Sequence, residues 1–401
     1  MIGIRPKEIE LKRLEIEARP DWQAQCEKVG FNWHTLATDP GVDPKYWDET
    51  KAYEFTAEEI DKIEEASTVL YRMCLSAVDY AIERDMLSQL AIPPQFHALV
   101  KKSWERQDVD LYGRFDFAFD ANGTPKMLEY NADTPTSLLE ASVVQWFWME
   151  QYAQRTGQTL DQFNSMHERL IEQFKYVGEQ VLGPNETFYF AAVAENLEDK
   201  GTAEYLRDCA MQAGLKTDYI DIENIGWNGT GFRDLQEQPI TTIFKLYPWE
   251  WLVREEFGQH LINDPWDVLE PAWKLVLSNK GILPILWELY PNHENLLPAY
   301  WNSAPLKGNY VQKPMLAREG ADVKIIKDGK VAVEGVERGY DKLAESIFQE
   351  YLPLQKFDGM TPIIGSWIVG GRPSGMGIRE DVSEVTGNTS RFIPHFFKPE
   401  A

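Results

Sequence analysis

The stretch LYGRFDFAFDANGTPKMLEYNADTPTSLLEA, residues 111–141, decides the fold of this chain. Polar and apolar residues alternate on both sides of the turn sequence DANGTP, which predicts two antiparallel strands joined by a hairpin. Symmetric pairing outward from the middle of that turn sets Asp116 opposite Glu129. The same register sets Arg114 opposite Asn131. We therefore expect these four polar side chains on one face of the hairpin and apolar side chains on the other.

Two carboxylates that face each other across a strand ladder, here those of Asp116 and Glu129, repel by about 0.2–1 kcal/mol. A cation between them removes that repulsion, and Mg²⁺ prefers the hard oxygen ligands that Asp, Glu and Asn supply. Arg114, one pair further along the same face, is suited to bind a transferring phosphoryl group. Spacing alone leaves a second interpretation open, because a solvated strand face with alternating charges shows the same pattern.

The composition indicates a folded protein and disfavours two classes of partner. Of the 401 residues, 43% are hydrophobic and 12% aromatic, which is enough to form cores and unlike a disordered segment. A formal net charge of −24 without a basic cluster disfavours nucleic acid and anionic membranes. An acidic surface suits cations such as Mg²⁺ or polyamines, and it fits an ordinary soluble surface equally well.

Cysteine usage and the N-terminus lead us to expect a cytoplasmic protein. Three scattered cysteines, Cys26, Cys74 and Cys209, predict neither a disulfide framework nor a zinc site. The N-terminal residues are charged and no apolar run reaches about 18 residues, so we expect no signal peptide and no transmembrane segment. The six histidines lack the spacing of metal ligands and are assigned to structure.

Hydrophobic periodicity predicts a mixed α/β chain without a linker or an internal repeat. A capping box at Thr56 and Glu59 begins a predicted helix over residues 56–90. Residues 187–220 follow the order strand, helix, strand of an α/β unit. Its strands are predicted at 187–193 and 216–220 and its helix at 202–213. The other predicted helices are at 137–154 and 266–279. A strand, glycine-bearing loop and hairpin are predicted at 310–335, and a turn at Gly370-Gly371.

The segments RFD and EYNAD resemble the magnesium motif of the glutathionylspermidine synthetase family, which are acid–amine ligases of the ATP-grasp type. The likeness extends over residues 111–397 and includes YPWEW at Tyr247 and the run SNKGILPILW. It implies an α/β (α+β) fold that is ATP-grasp-like, with an associated pre-ATP-grasp α/β unit and N-terminal helices. The parts implied within one catalytic unit of residues 1–401 are a helical part near 1–110, the metal hairpin and pre-ATP-grasp unit near 111–265, and a nucleotide-binding part near 266–401 with a lid near 310–335.

Carried over residue by residue, the resemblance assigns roles to particular side chains. Arg114 matches the arginine that stabilises the transition state. The residues that match the ligands of two Mg²⁺ ions are Asp116, Glu129 and Asn131. The implied ATP-binding residues are Arg114, Phe115, Asp116, Lys280, Lys313, Gly320, Gln349, Glu350, Tyr351, Leu352 and Arg379. The implied substrate residues are Thr134, Thr136, Glu195 and Arg391, with Glu198 and Asp199 as further acidic candidates beside Glu195.

Several of these residues also have ordinary structural interpretations. A lone lysine such as Lys280 or Lys313 is usually a surface residue. Gly320 fits a simple turn, in which no ligand need approach the backbone. Arg379 and Arg391 fit surface ion pairs at strand ends.

The resemblance implies an enzyme in which ATP, held by Mg²⁺ and two lysines, phosphorylates a substrate carboxylate, and an amine then attacks the acyl phosphate. The expected partners are a small carboxylic acid or peptide and an amine. A kinase or plain ATPase, and a nucleotide-binding sensor without ligase activity, are the alternatives. Bifunctional members of the family carry an N-terminal amidase domain for which 401 residues leave no room, so we expect no amidase activity. The sequence leaves the acid, the amine and the oligomeric state open.

Overall fold

The computed structural model describes residues 9–36, 45–387 and 390–399, and within them the chain is a mixed α/β protein, as expected. The strands are β1 (Lys12–Glu15), β2 (Lys51–Phe55), β3 (Tyr112–Phe119), β4 (Pro125–Asn131), β5 (Phe188–Ala192), β6 (Thr217–Asp221), β7 (Gly226–Trp227), β8 (Phe232–Arg233), β9 (Thr242–Leu246), β10 (Asp267–Leu269), β11 (Ala299–Tyr300), β12 (Tyr310–Pro314), β13 (Lys324–Lys327), β14 (Lys330–Glu334), β15 (Ser346–Glu350), β16 (Thr361–Val369), β17 (Arg372–Asp381), β18 (Arg391–Ile393) and β19 (His395–Phe397). The α-helices are α1 (Trp22–Lys28), α2 (Ala57–Glu83), α3 (His97–Glu105), α4 (Gln145–Thr156), α5 (Met166–Val181), α6 (Leu197–Gln212), α7 (Trp249–Leu252), α8 (Lys274–Leu277) and α9 (Ile282–Leu289). A π-helical turn, Glu140–Val144, leads into α4.

Two five-stranded sheets and one parallel sheet carry the site. The central sheet has the order β18-β17-β16-β3-β4, so the hairpin of residues 112–131 pairs with strands from the far end of the chain. The second sheet, β11-β15-β12-β13-β14, is antiparallel. The third, β10-β9-β5-β6, is parallel throughout. The predicted domain boundaries stay predictions.

The predicted register of the hairpin is confirmed. Arg114 pairs with Asn131, and Asp116 pairs with Glu129. Closer to the turn the register shifts by one residue, which leaves Leu128 as the extra residue of a β-bulge. A bulge frees backbone groups from the ladder, and the carbonyl of Leu128 becomes available to a side chain from the second sheet.

Helix α2 covers the apolar face of the central sheet. Its predicted capping box is confirmed, since the Thr56 hydroxyl accepts from the Glu59 N–H and the Glu59 carboxylate accepts from the Thr56 N–H. The helix ends at Glu83 instead of near residue 90. Ser67 of α2 and Ser366 of β16 share a hydrogen bond of 2.7 Å across this buried interface. The opposite face of the sheet is thereby left for the polar residues.

The predicted α/β unit is confirmed as β5, α6 and β6. Helix α6 begins at Leu197, earlier than the predicted residue 202, because the Asn196 side chain caps it by accepting from the Asp199 N–H. This cap turns the acidic first turn of α6 toward the polar face of the central sheet.

The prediction of a helix over residues 266–279 is wrong. The segment forms β10, which pairs in parallel with β9, and the four-residue helix α8. Pro271 lies between them, and a proline disfavours helical backbone at the residue before it and lacks an N–H to donate. The hydrogen bonds that favour a strand come from β9, which is distant in sequence.

The resemblance implied a helical N-terminal part near residues 1–110. The structure instead includes strands β1 and β2 in this part. Strand β2 lies between β1 and the C-terminal β19 in a three-stranded sheet, so its pairing partner is more than 300 residues away. Residues 1–8 and 37–44 of this part lie outside the described residues. Pairing at that separation has no local sequence signal.

The remaining turn predictions are confirmed. Strands β13 and β14 form the expected hairpin around Asp328 and Gly329. Gly370 and Gly371 connect β16 to β17 with φ angles of 54° and 75°. Two successive positive φ angles favour glycine and match the twist of a tight hairpin.

Candidate active site

A cleft lies between the polar face of the hairpin and the second sheet. It collects most of the residues predicted for metal and nucleotide, although they come from five separate segments. The predicted residues that line it are Asp116, Glu129, Lys280, Lys313, Gly320, Gln349, Glu350, Tyr351 and Leu352.

Asp116 and Arg114 form the acidic and basic ends of one ion pair on strand β3. The guanidinium donates to both carboxylate oxygens, over 2.7 and 3.0 Å, and also to the Thr136 carbonyl over 2.6 Å. Burial raises the pKa of Asp116 above its ordinary value in spite of the opposing effect of Arg114. The Asn131 side-chain amide donates to Asp116 over 3.2 Å, so three predicted residues are in direct contact.

Glu129 lies beside two lysines. The Lys280 ammonium is 3.1 Å from its carboxylate. Burial by itself raises the pKa of Glu129, but Lys280 and Lys313 outweigh that effect and hold it at about 2. Glu129 is therefore ionised at neutral pH.

The predicted magnesium ligands fit the chemistry of Mg²⁺. Asp116 and Glu129 are opposite each other in the ladder, and the Asn131 amide bridges them with hydrogen bonds of 3.2 and 3.4 Å. All three supply oxygen atoms, and Mg²⁺ commonly takes one or two carboxylates and completes its shell with phosphate and water. Among the described residues no group of three or more His, Cys, Asp or Glu side chains is arranged to hold a metal, so this set of two carboxylates and an amide is the candidate.

Lys313 is held by neutral acceptors. Its ammonium donates to the carbonyl of the bulge residue Leu128 over 2.8 Å and to the Gln349 side chain over 2.7 Å. Burial lowers its pKa to about 8. Lys280 similarly donates to the Ala317 carbonyl over 2.6 Å. Two buried or half-buried ammonium groups with one carboxylate between them favour the approach of an anion.

Gly320 has a position that only glycine fits. Its φ is +67°, and a Cβ atom there would lie 2.4 Å from the Thr386 carbonyl oxygen. The backbone of the loop between β12 and β13 therefore packs directly on residues 384–386, which also line the cleft. Because glycine has no Cβ, the two backbone segments can come into contact at this edge of the cleft.

The tip of the β13–β14 hairpin is fastened to the cleft. Lys327 is 2.8 Å from the Glu384 carboxylate, and its ammonium lies 4.4 Å from the centre of the Tyr351 ring. The Tyr351 hydroxyl donates to the same Glu384 over 2.6 Å. The hairpin tip thus contacts two walls of the cleft, and its role as a lid stays a prediction.

A second, smaller pocket adjoins the cleft and shares Asp116, Ile363 and Thr386 with it. Its other lining residues are Arg114, Ser137, Gly365, Trp367, Gly377 and Arg379. A Cβ at Gly365 would lie 2.7 Å from the Arg114 side chain, so this glycine leaves room for the guanidinium. Two arginines facing a small space suit a carboxylate.

One residue of this region, Arg318, was not predicted from the sequence, and two, Glu198 and Asp199, were predicted only as further candidates beside Glu195. Arg318 is 2.9 Å from the Glu250 carboxylate and also contacts the Thr134 hydroxyl. Burial raises the pKa of Glu198 against the effect of nearby Arg379. Burial and Glu198 raise the pKa of Asp199 to about 7. The only signal for Arg318 was its position two residues before Gly320.

Some predicted residues are placed elsewhere. Glu195 is exposed in the loop before α6 and does not line either cavity. Arg391 pairs with Glu380 in the ladder, on the face opposite to Arg379, and its guanidinium is 3.4 Å from Asp48. Phe115 is buried against the other face of the sheet, so only its backbone is near the cleft.

Comparison with known proteins connects this site to a family. A family model described as glutathionylspermidine synthase preATP-grasp matches residues 13–398. A Haemophilus influenzae protein named "Putative acid--amine ligase" is 43% identical over 391 residues, which are 95% of this chain and 98% of that protein. Trypanothione synthetase of Crithidia fasciculata is 30% identical over 81% of this chain and 53% of its own length. The bifunctional glutathionylspermidine synthetase/amidase of Escherichia coli is 27% identical over 85% of this chain and 58% of its own length.

The chain therefore spans about half the length of the two longer relatives. Among solved structures, a glutathione synthetase-like effector from Globodera pallida in its apo form is similar in fold, with a TM-score of 0.58 at 10% identity over 94% of this chain and 96% of that one. Within the part of the chain that the structure describes, every helix is too short or too polar to cross a membrane.

Proposed function

The chain belongs to the glutathionylspermidine synthase family and is an ATP-dependent carbon–nitrogen ligase, and we propose that it joins an acid to an amine through an acyl phosphate. The observation that carries this proposal is the convergence of Asp116 and Glu129 with Lys280 and Lys313 in one cleft. Opposed carboxylates beside paired ammonium groups are what a metal-bound triphosphate requires.

ATP lies in the cleft in an ATP-grasp-like manner, between the hairpin and the second sheet. Its adenine contacts the segment from Gln349 to Leu352, where β15 ends and backbone groups become free of the ladder. Its phosphates lie toward Lys280, Lys313 and the backbone of Gly320.

Asp116, Glu129 and Asn131 would hold two Mg²⁺ ions, which would neutralise negative charge on the transferred phosphoryl group. Basic side chains of the protein supply the remaining positive charge. Arg114 lies at the junction of the cleft and the small cavity, because it lines the cavity and contacts Asp116 of the cleft. It stabilises the transferring phosphoryl group from the side on which the acid binds.

The acid occupies the small cavity between Arg114 and Arg379. An oxygen of its carboxylate forms a bond to the γ-phosphorus while the bond from that phosphorus to ADP breaks. The amine nitrogen then attacks the acyl carbon, and the bond from that carbon to phosphate breaks. The attacking nitrogen loses one proton, which passes to solvent. The products are an amide, ADP and phosphate, and no protein nucleophile is used.

Product analysis with matched variants tests this proposal. The substrates are offered as a panel of small carboxylic acids, small peptides and amines. We expect wild-type protein with Mg-ATP to release ADP when a particular acid and a particular amine are both present, and mass spectrometry to detect the amide. Asp116→Asn and Glu129→Gln should lower ADP release at least about 100-fold, because charge on the transferred group is no longer neutralised. Asp85→Asn, at an exposed surface pair, is the control.

Phosphorylated acid without amide would favour the kinase alternative. Phosphate release that ignores the amine would favour a plain ATPase. ATP binding without turnover under any condition would favour the nucleotide-binding sensor. Full activity of both cleft variants, with circular dichroism unchanged, would contradict the assignment of the metal ligands.

A further inference from the structure

Two successive carbonyl groups of strand β4 accept hydrogen bonds from the second sheet. The Met127 carbonyl accepts from the Gln349 side-chain amide over 3.2 Å, and the Leu128 carbonyl accepts from the Lys313 ammonium over 2.8 Å. In a regular strand, consecutive carbonyls point to opposite edges, so they do not both face one neighbour. The β-bulge at Leu128 removes that restriction and presents both carbonyls to the same neighbour.

The side chains of Gln349 and Lys313 also contact each other. In the ladder of β15 and β12, Gln349 pairs with Val311 and Lys313 pairs with Ile347, so the two polar residues are diagonal neighbours on one face of the sheet. Their hydrogen bond, from the ammonium to the amide oxygen, is 2.7 Å long. Both residues are buried, with exposed fractions of 2% for Gln349 and 8% for Lys313. The two side chains and the two carbonyls therefore form one buried network.

The chemistry of this network determines which way the Gln349 amide points. A backbone carbonyl only accepts hydrogen bonds, and an ammonium group only donates them. The nitrogen of the amide must therefore face Met127, and its oxygen must face Lys313. Because this one orientation satisfies both partners, Gln349 links the Lys313 ammonium to strand β4.

The acceptors around Lys313 leave one of its hydrogens and its charge available. An ammonium group has three N–H donors, and the contacts to Leu128 and Gln349 use two of them. Both of these acceptors are uncharged, whereas the carboxylate of Glu129 forms its ion pair with Lys280 over 3.1 Å. Lys313, Leu128 and Gln349 all line the cleft. The third N–H is therefore left for an anionic acceptor such as a phosphate oxygen.

We propose that Gln349 is a positioning residue, which holds the Lys313 ammonium so that its third N–H and its uncompensated charge meet the phosphates of the nucleotide. This inference rests on the proposed function, in which ATP occupies the cleft. A carboxylate in place of the amide would also accept from the ammonium, but it would cancel the positive charge. The side chain of Gln349 therefore affects binding of the triphosphate and leaves binding of the nucleoside unaffected.

Equilibrium binding to the full chain tests this role without turnover. The probes are adenosine, followed by ligand-detected NMR, and the Mg²⁺ complex of adenylyl imidodiphosphate, an ATP analogue that is not hydrolysed, followed by calorimetry. We expect Gln349→Met to bind the analogue at least about threefold more weakly than wild type and Gln349→Glu at least about tenfold more weakly, with adenosine affinity unchanged in both. The control is Gln312→Met, since Gln312 of β12 lies on the opposite face of the sheet and donates to the Ser346 hydroxyl over 3.3 Å. It should change neither affinity.

A double-mutant cycle shows whether Gln349 acts through Lys313. In the background of Lys313→Met, which lacks the ammonium, Gln349→Met should cause no further loss of affinity for the analogue. A full second loss in that background, or equal losses for the analogue and adenosine, would overturn the inference. Unchanged analogue affinity in Gln349→Glu would overturn it as well, including the case in which Gln349→Met does not fold. Analogue binding by a wild type that forms no amide would refute the ligase proposal and leave the role of Gln349 standing.

Discussion

Lys245 and Asp133 offer a test of buried charge in this fold. Lys245 of β9 is 2.8 Å from Asp133, which follows the hairpin motif directly, and both side chains are completely buried. Asp133 also accepts from the Trp249 N–H over 2.7 Å, and the Lys245 ammonium donates to the Tyr247 carbonyl over 3.0 Å. This ion pair connects strand β9 of the parallel sheet to the loop that carries Thr134.

Lys245→Met removes the positive charge and keeps most of the side-chain volume. Asp133 would then be buried with one hydrogen bond and no counter-charge, and breaking a buried pair in this way costs about 3–5 kcal/mol. That is a large part of the roughly 5–15 kcal/mol by which a domain is stable. Adding Asp133→Asn removes the second charge while an amide oxygen still accepts from Trp249, so the double variant should regain most of the lost free energy of unfolding.

Urea unfolding followed by tryptophan fluorescence measures the free energy of unfolding of each variant. The control is Lys101→Met, which removes a lysine from an ion pair whose side chains are 37% and 77% exposed and should cost less than about 1 kcal/mol. The reasoning is refuted if Lys245→Met costs no more than this control. It is also refuted if the double variant is no more stable than Lys245→Met alone.

Three further predictions concern the lid and the protonation of the core. Gly320→Ala should raise KM for ATP at least about tenfold, since a Cβ at positive φ costs about 1–2 kcal/mol and meets the Thr386 carbonyl; an unchanged KM would contradict the close packing. Lys327→Met should raise KM for ATP about two- to fivefold through loss of the contact to Glu384, with the unfolding midpoint nearly unchanged, and an unaltered KM would argue against a fastened lid. Burial holds the pKa of His395 at about 3, so below about pH 6.5 the unfolded chain binds a proton that the folded chain does not, and stability falls as pH falls. Between pH 7 and pH 5.5, His395→Asn should lose about 1 kcal/mol less than wild type in urea unfolding, and equal losses would refute the assignment.

Much of the site followed from sequence because its central element is local. A hairpin fixes its register through the turn and the alternation of side chains, so the opposition of Asp116 and Glu129 could be predicted from residues 111–131. The bulge at Leu128 could not, because the alternation of side chains does not reveal where an extra residue enters a strand. Lys280 and Lys313 were recognised through their motif context, and the structure brings both to Glu129.

The differences between the predictions and the observed positions have a common physical origin. Residues 267–269 of the predicted helix at 266–279 instead form a strand that pairs with β9. No local sequence pattern reveals the hydrogen bonds of that pairing. Arg391 was expected at the substrate, yet the alternation of strand β18 turns it to the face opposite Arg379. Glu195 stays exposed while Glu198 and Asp199 approach the arginines, because the cap at Asn196 sets the start of α6.

The sequence by itself determined the local elements and the chemical identity of the site: the hairpin, the capped helix α2, the glycine turns, and two carboxylates with an asparagine on one strand face. Tertiary structure alone decided what those groups meet. Pairing of β3 with β16 places Arg114 beside Trp367, and the approach of β15 to β4 places Gln349 beside the bulge. Such contacts join segments that are distant in sequence, and their free energy comes from burial and pairing that no single segment contains.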